Sequence, residues 1–141
     1  MRPTRDDTLI NVAADFARRS TCDKLHVGAV ISHDGRPLST GYNGSPAGMA
    51  HCRHLPVSND PCVLAVHAEA NAIAYAARFG VATVDAEMHV THSPCYKCAQ
   101  LIINAGIFKV TWAIAFRDQS GLDLLESAGI ETVHYRGVIG L

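Results

Sequence analysis

The hydrophobic and polar positions switch between helical and strand periods along the chain, and the switches mark its elements. Leu9, Val12, Ala13 and Phe16 recur at helical spacing, which predicts a first helix to about residue 19, capped by Thr4 or Asp6. Residues 27–31 (VGAVI) read as a buried strand, Asp34-Gly35 as a hairpin turn and residues 37–41 as the returning strand. That second strand is weakened by Pro37, which lacks an N–H. An alanine-rich stretch over 65–79, closed by Gly80, predicts a helix. Residues 86–91 predict a strand that breaks at Ser93-Pro94. Pro94 opens a helix with Cys98, Leu101, Ile102 and Ala105 inward and Gly106 at its end. A strand over 108–115, a helix over 122–128 ended by Gly129, and a strand over 130–135 complete the pattern.

This order predicts one mixed five-stranded sheet covered by helices on both faces. The later strand–helix–strand units cross over right-handed, so their strands run parallel. Residues 42–62 break the pattern, being irregular and rich in Gly, Pro, Asn and Ser. A long stretch of this kind inside a compact domain is functional or held by something.

Composition narrows the class. With 141 residues, 48% hydrophobic and 18% charged, the chain fits one globular domain over 1–141. A net charge of −1 gives no electrostatic footprint for sequence-independent nucleic-acid binding. The N-terminus has no apolar signal region, and no apolar run approaches a membrane span. The expectation is therefore a cytoplasmic protein with no membrane and no nucleic-acid partner. In that reducing setting Cys22, Cys52, Cys62, Cys95 and Cys98 read as metal ligands rather than disulfides.

The candidate chemistry is a split signature, His67-Ala68-Glu69 followed by Pro94-Cys95-Tyr96-Lys97-Cys98. His67, Cys95 and Cys98 supply three zinc ligands and leave a fourth tetrahedral position for water. Both halves fall at predicted helix starts, which favour a thiolate pair and a carboxylate. Glu69 is placed to move protons rather than to bind metal. A lone C-x-x-C is also a redox pair or half a zinc knuckle, and a lone Glu in a first turn is a dipole partner. The combination, H-x-E…P-C-x-x-C, marks zinc-dependent nucleobase deaminases, and the implied reaction is hydrolytic deamination.

Longer stretches carry a closer resemblance. Residues 22–31 (CDKLHVGAVI), 39–48 (STGYNGSPAG), 67–73 (HAEANAI), 90–99 (VTHSPCYKCA) and 127–131 (SAGIE) together resemble deoxycytidylate (dCMP) deaminases over nearly the whole chain. The zinc signature is shared with tRNA adenosine, guanine and riboflavin-pathway deaminases, whereas G-Y-N-G-x-P-x-G points to dCMP. The resemblance implies a three-layer α/β/α sandwich, conversion of dCMP to dUMP, a hexamer, and dCTP and dTTP as effectors. It implies that Asn43 contacts the substrate's sugar, although a turn role in Tyr-Asn-Gly is an equal alternative, and that the backbone around Ala68 meets the pyrimidine. Tyr75 and Arg78 match a face that packs between subunits and influences effector response. It also implies a second, structural zinc on Cys22, Cys52 and Cys62, with His51 or His54 as fourth ligand. His92, which could touch the base or phosphate or only face solvent, replaces the family's usual leucine or acidic residue, and Phe116 its tyrosine near the substrate, which leaves room for a 5-modified pyrimidine. Lys24, His26, Arg53 and Arg117 are candidates for the phosphate. The rival readings are another base deaminase on this scaffold, or a zinc-stapled binding module without turnover.

Overall fold

The computed structural model describes residues 1–54 and 62–141; the predicted irregular stretch is thus described except for 55–61. A capping box starts α1 (Arg5–Ala17): the Thr4 hydroxyl accepts from the Asp7 amide at 3.0 Å, and the Asp7 carboxylate accepts from the Thr4 amide at 2.8 Å. Strands β1 (Gly28–His33) and β2 (Arg36–Tyr42) form the expected hairpin. Its turn places Asp34 and Gly35 at φ 50° and 75°, the left-handed pair that a two-residue primed turn requires. Pairing slips between Ile31–Ser39 and Ser32–Pro37, which leaves Leu38 as a bulge beside the proline. The chain then runs through α2 (Ala68–Arg78), β3 (Glu87–His92), α3 (Tyr96–Asn104), β4 (Lys109–Ile114), α4 (Ser120–Ser127) and β5 (Glu131–His134).

The five strands form one mixed sheet ordered β2-β1-β3-β4-β5. β1 is antiparallel to both neighbours, and β3, β4 and β5 run parallel, as the two crossover units predict. β2 is an edge strand, where Pro37 costs no central ladder bond. One face of the sheet is covered by α1, with Val30 packed on Leu9 and Ala13. The other carries α2, α3 and α4, whose Ala68, Ala72, Ala99, Ile102, Leu122 and Leu125 pack with Ala29, Ile31, Met88, Val90 and Val110. The result is the three-layer α/β/α sandwich.

One boundary and two buried faces differ from the sequence pattern. α2 starts at Ala68 rather than 65, because Val66 is engaged in a two-bond bridge with Gly44 (N···O 2.7 and 3.1 Å). The buried stripe of α1 is Leu9, Ile10, Ala13, Ala14 and Ala17, with Val12 and Phe16 at its flank. Small residues face the sheet there because α1 rests directly on Gly28: a Cβ at 28 would lie 1.9 Å from the Ala13 carbonyl oxygen. On α3, Cys98 and Ile102 are buried as expected, but Leu101, expected inward, is exposed and Ala99 is buried instead.

Gly41 seats α2 in the same way. A Cβ at 41 would lie 2.2 Å from the Ala68 carbonyl oxygen and 2.5 Å from the Ala72 nitrogen, both backbone atoms of the helix. Gly41→Ala is therefore expected to push α2 off the sheet and to cost roughly 2 kcal/mol or more. Denaturant unfolding reads that loss, and an unchanged midpoint would contradict the close seating.

Candidate metal centre and active site

The start of α2 and the start of α3 point at each other. His67 is the N-cap of α2, yet its side chain makes no cap hydrogen bond, which leaves the imidazole free to face across. Cys95 is the N-cap of α3, and its sulfur accepts from the Cys98 amide at 3.5 Å. His67 Nδ1 lies 3.4 Å from Cys95 Sγ and 3.5 Å from Cys98 Sγ. Zinc bonds of about 2.3 Å to sulfur and 2.0–2.1 Å to nitrogen, at a tetrahedral angle, set S and N about 3.5 Å apart. The donor set fits zinc. It runs from an exposed His67 through half-buried Cys95 to buried Cys98.

Without metal the three donors share protons. The Cys98 thiol and then His67 hold Cys95 well below the usual thiol range. Cys98 is pushed up, first by the neighbouring Cys95 and then by burial. Cys95 in turn raises His67 above its ordinary value, against burial. Glu69 lies in the first turn of α2, 3% exposed and beside the Cys98 sulfur. Burial raises its carboxyl above the ordinary value, opposed by its own backbone amide and the Cys98 thiol.

A second donor cluster gathers Cys22, Cys52, His54 and Cys62. The fourth member is His54; His51 is exposed and lines a cavity elsewhere. Cys22 Sγ and His54 Nε2 are 3.7 Å apart, again close to tetrahedral zinc spacing. Burial pushes the Cys62 thiol up, but the amides of Ala65 and Leu64, with Cys52 and His54, bring it to about 7. Burial, then Cys22 and Cys62, raises Cys52 to about 11. The Asp23 carboxylate accepts from the His54 amide at 3.3 Å. This set is four protein donors, the composition of a closed structural site.

The predicted substrate residues fall into different settings. Asn43 is buried; its Oδ1 accepts from the Val27 amide at 2.8 Å and its Nδ2 donates to the Leu25 carbonyl at 2.6 Å. One donor and one lone pair of that amide remain. Ala68 is fully buried at the head of α2. His92 ends β3 on the α2–α3 side and stacks on half-buried Phe116, with centroids 5.4 Å apart. Burial lowers His92 below the ordinary imidazole value. Lys24 is half-buried in the segment joining α1 to β1, and His26, Arg53 and Arg117 are exposed. Sequence reasoning gave no role to Asn71, whose Nδ2 donates to the Tyr42 carbonyl at 2.8 Å and ties α2 to the end of β2. Nor did it single out Ser93, whose hydroxyl accepts from the Phe116 amide at 2.8 Å. Both lie inside the quoted motifs, which was the available signal.

A cavity of about 620 Å³ lies on the opposite side of α2 from Glu69. Gly44, Ser45, Met49, His51, Tyr75 and Arg78 are among its walls.

An imidazole and two thiols converging at two helix starts beside a buried carboxylate define a zinc-dependent hydrolytic scaffold. Residues 3–114 match the family model of the cytidine and deoxycytidylate deaminase zinc-binding region, and the chain belongs to that family. It is 44% identical to ComE operon protein 2 of Bacillus subtilis over 82% of this chain and 62% of that protein, so it spans less than two thirds of that relative. It is 39% identical to the deoxycytidylate deaminase of Mycobacterium phage D29, over 79% of this chain and 95% of the phage protein. The crystal structure of dCMP deaminase from cyanophage S-TIM5, in complex with dCMP and dUMP, superimposes with a TM-score of 0.87 at 31% identity, covering 96% of this chain and 99% of that one.

Two donor clusters predict two zinc ions per chain by elemental analysis. Cys62→Ser is expected to retain one and to lower the melting temperature by roughly 10 °C or more. One zinc in the unsubstituted protein would remove the second site.

Proposed function

We propose that this chain deaminates dCMP to dUMP and ammonia, with His67, Cys95 and Cys98 holding zinc and Glu69 moving the protons. The observation that carries the reading is Glu69 itself: a carboxyl buried against the ligand set, with its proton affinity raised by burial. Zinc in this set would supply a Lewis acid that ionises water near neutral pH. Glu69 takes the first proton of the attacking water and delivers it to ring N3. It then carries the second, from the new C4 hydroxyl, to the departing amine. Atoms balance as dCMP plus water going to dUMP plus ammonia.

The backbone at Ala68 meets the pyrimidine edge, and the spare donor and lone pair of Asn43 suit a sugar hydroxyl. A binding module without turnover would close its metal with a fourth protein ligand, which the His67 cluster lacks among the described residues. A net charge of −1 disfavours a tRNA substrate. Five unpaired cysteines suit a cytoplasmic setting, where thiols stay reduced.

Glu69→Gln is expected to keep its zinc and to lose roughly a hundred- to ten-thousand-fold in kcat. Loss of absorbance as dCMP is consumed measures this, and near-normal turnover would exclude Glu69 as the proton carrier.

The same reading assigns the cavity behind α2 to the dCTP and dTTP effectors in a hexameric assembly. Its support is the placement of Arg78 and Tyr75 on one wall, opposite the Gly44–Gly48 segment. Arg78→Ala should raise the dCTP concentration for half-maximal response by about tenfold or more. An unchanged effector response, or a monomer by light scattering at assay concentration, would reject this part.

A further inference from the structure

His92 carries a ring donor that no described residue uses. The residue is 7% exposed, and its Nδ1 lies 2.8 Å from the Thr91 hydroxyl oxygen. That oxygen already accepts from the Gly28 amide at 3.1 Å. Thr91 is fully buried, and its hydroxyl proton has no other acceptor among the described residues. The proton therefore goes to His92 Nδ1, since the reverse arrangement strands it at a cost of about 1–3 kcal/mol. A neutral imidazole that accepts at Nδ1 carries its hydrogen on Nε2. Thr91 thus fixes the tautomer, and Nε2–H has no partner among the described residues. Nε2 is not among the enclosed unpartnered atoms, so this donor reaches solvent and is open to a bound ligand.

Its position says what that partner is. Met88 and Val90 face α2, α3 and α4, so strand alternation puts His92 on the same side. It stands at the C-terminal end of a parallel strand, three residues before Cys95, where ligands bind in open α/β sheets. Phe116, held by Ser93, braces the ring from beside it.

We propose that His92 is a specificity-determining residue whose Nε2–H donates a hydrogen bond to an oxygen of the nucleotide substrate, with Thr91 as the positioning residue that fixes its tautomer. The acceptor is the pyrimidine carbonyl or the 5′-phosphate. This inference rests on the dCMP reading above. A protein that fails on dCMP sinks that reading, whereas the tautomer is measured without substrate.

The experiment has two arms on zinc-loaded protein. NMR of isotope-labelled histidine in the unsubstituted protein should show His92 protonated at Nε2 and bare at Nδ1; the opposite tautomer overturns the proposal. In kinetics, His92→Leu should raise KM for dCMP roughly tenfold or more while kcat changes less than about threefold. His92→Gln, whose amide reaches the Nε2 position, should recover most of that loss, and His92→Asn, which reaches only Nδ1, should not. Equal rescue by both, or an unchanged KM in His92→Leu, rejects the donor role. Binding of dUMP and deoxyuridine to each variant locates the acceptor. A penalty on both ligands assigns the carbonyl, a penalty on dUMP alone assigns the phosphate, and no penalty on either rejects the contact.

Discussion

The rest of the structure depends on one convergence: two thiols and an imidazole, from two separate helix starts, within 4.8 Å of one another. Such groups repel or compete for protons when no metal neutralises them. The opposed shifts of Cys95 and Cys98 express that, one sulfur lowered and the other raised. Holding them together is a packing problem. On one side α2 lies against β2 at Gly41; on the other, α4 lies against the turn before α3 at Gly121. A Cβ at 121 would lie 2.1 Å from the Pro94 carbonyl oxygen. Two missing side chains let helices press on the segments that carry the ligands. The sheet is thus a jig that sets the distance between two N-caps.

α2 has a second role that follows from its geometry. Glu69, Ala72 and Ala76 face the core, whereas Asn71, Tyr75 and Arg78 face the cavity on the other side. One rigid helix therefore borders both the buried carboxylate and the proposed effector space. Asn71 anchors its first turn to the Tyr42 carbonyl, at the join between them. A shift of α2 by a fraction of an ångström would be felt at both sites, because packed interiors transmit displacement.

The strands, the hairpin, the parallel sense of the later strands and the donor set were legible in the sequence because each rests on local pattern: apolar runs for β1, β3 and β4, Asp34-Gly35 for the hairpin, and a His and C-x-x-C at two helix starts. What was not legible depends on contacts between distant segments. The Gly44–Val66 bridge removed three residues from the head of α2 and so turned His67 into an N-cap. The use of His54 in place of His51 depends on how the loop folds around Cys22, which spacing alone leaves open. Asn43 reads as a substrate ligand or a turn residue in sequence. In the fold it clamps Leu25 and Val27, a third role that a motif does not encode. The His89–Asp6 pair at 2.8 Å, joining β3 to α1 across 83 positions, gave no local signal at all.

Chemistry and selectivity are consequently built from different kinds of structure. The buried Glu69 carboxylate and the Cys/His donors sit in the first turns of regular helices or cap them, where position is set by the core. The proposed substrate wall is formed by strand ends and by the segment from Tyr42 onward, whose described residues bury few apolar side chains. Such a segment cannot offset its own ordering entropy by hydrophobic burial. It is tied instead at Asn43, at the Gly44–Val66 bridge and at the Cys22–Cys52–His54–Cys62 cluster. Metal bound at that cluster would supply on the order of 10 kcal/mol of folding free energy, a scale that burial of a few side chains does not reach. Such a metal would hold the shape of this segment while lying apart from the His67–Cys95–Cys98 donors.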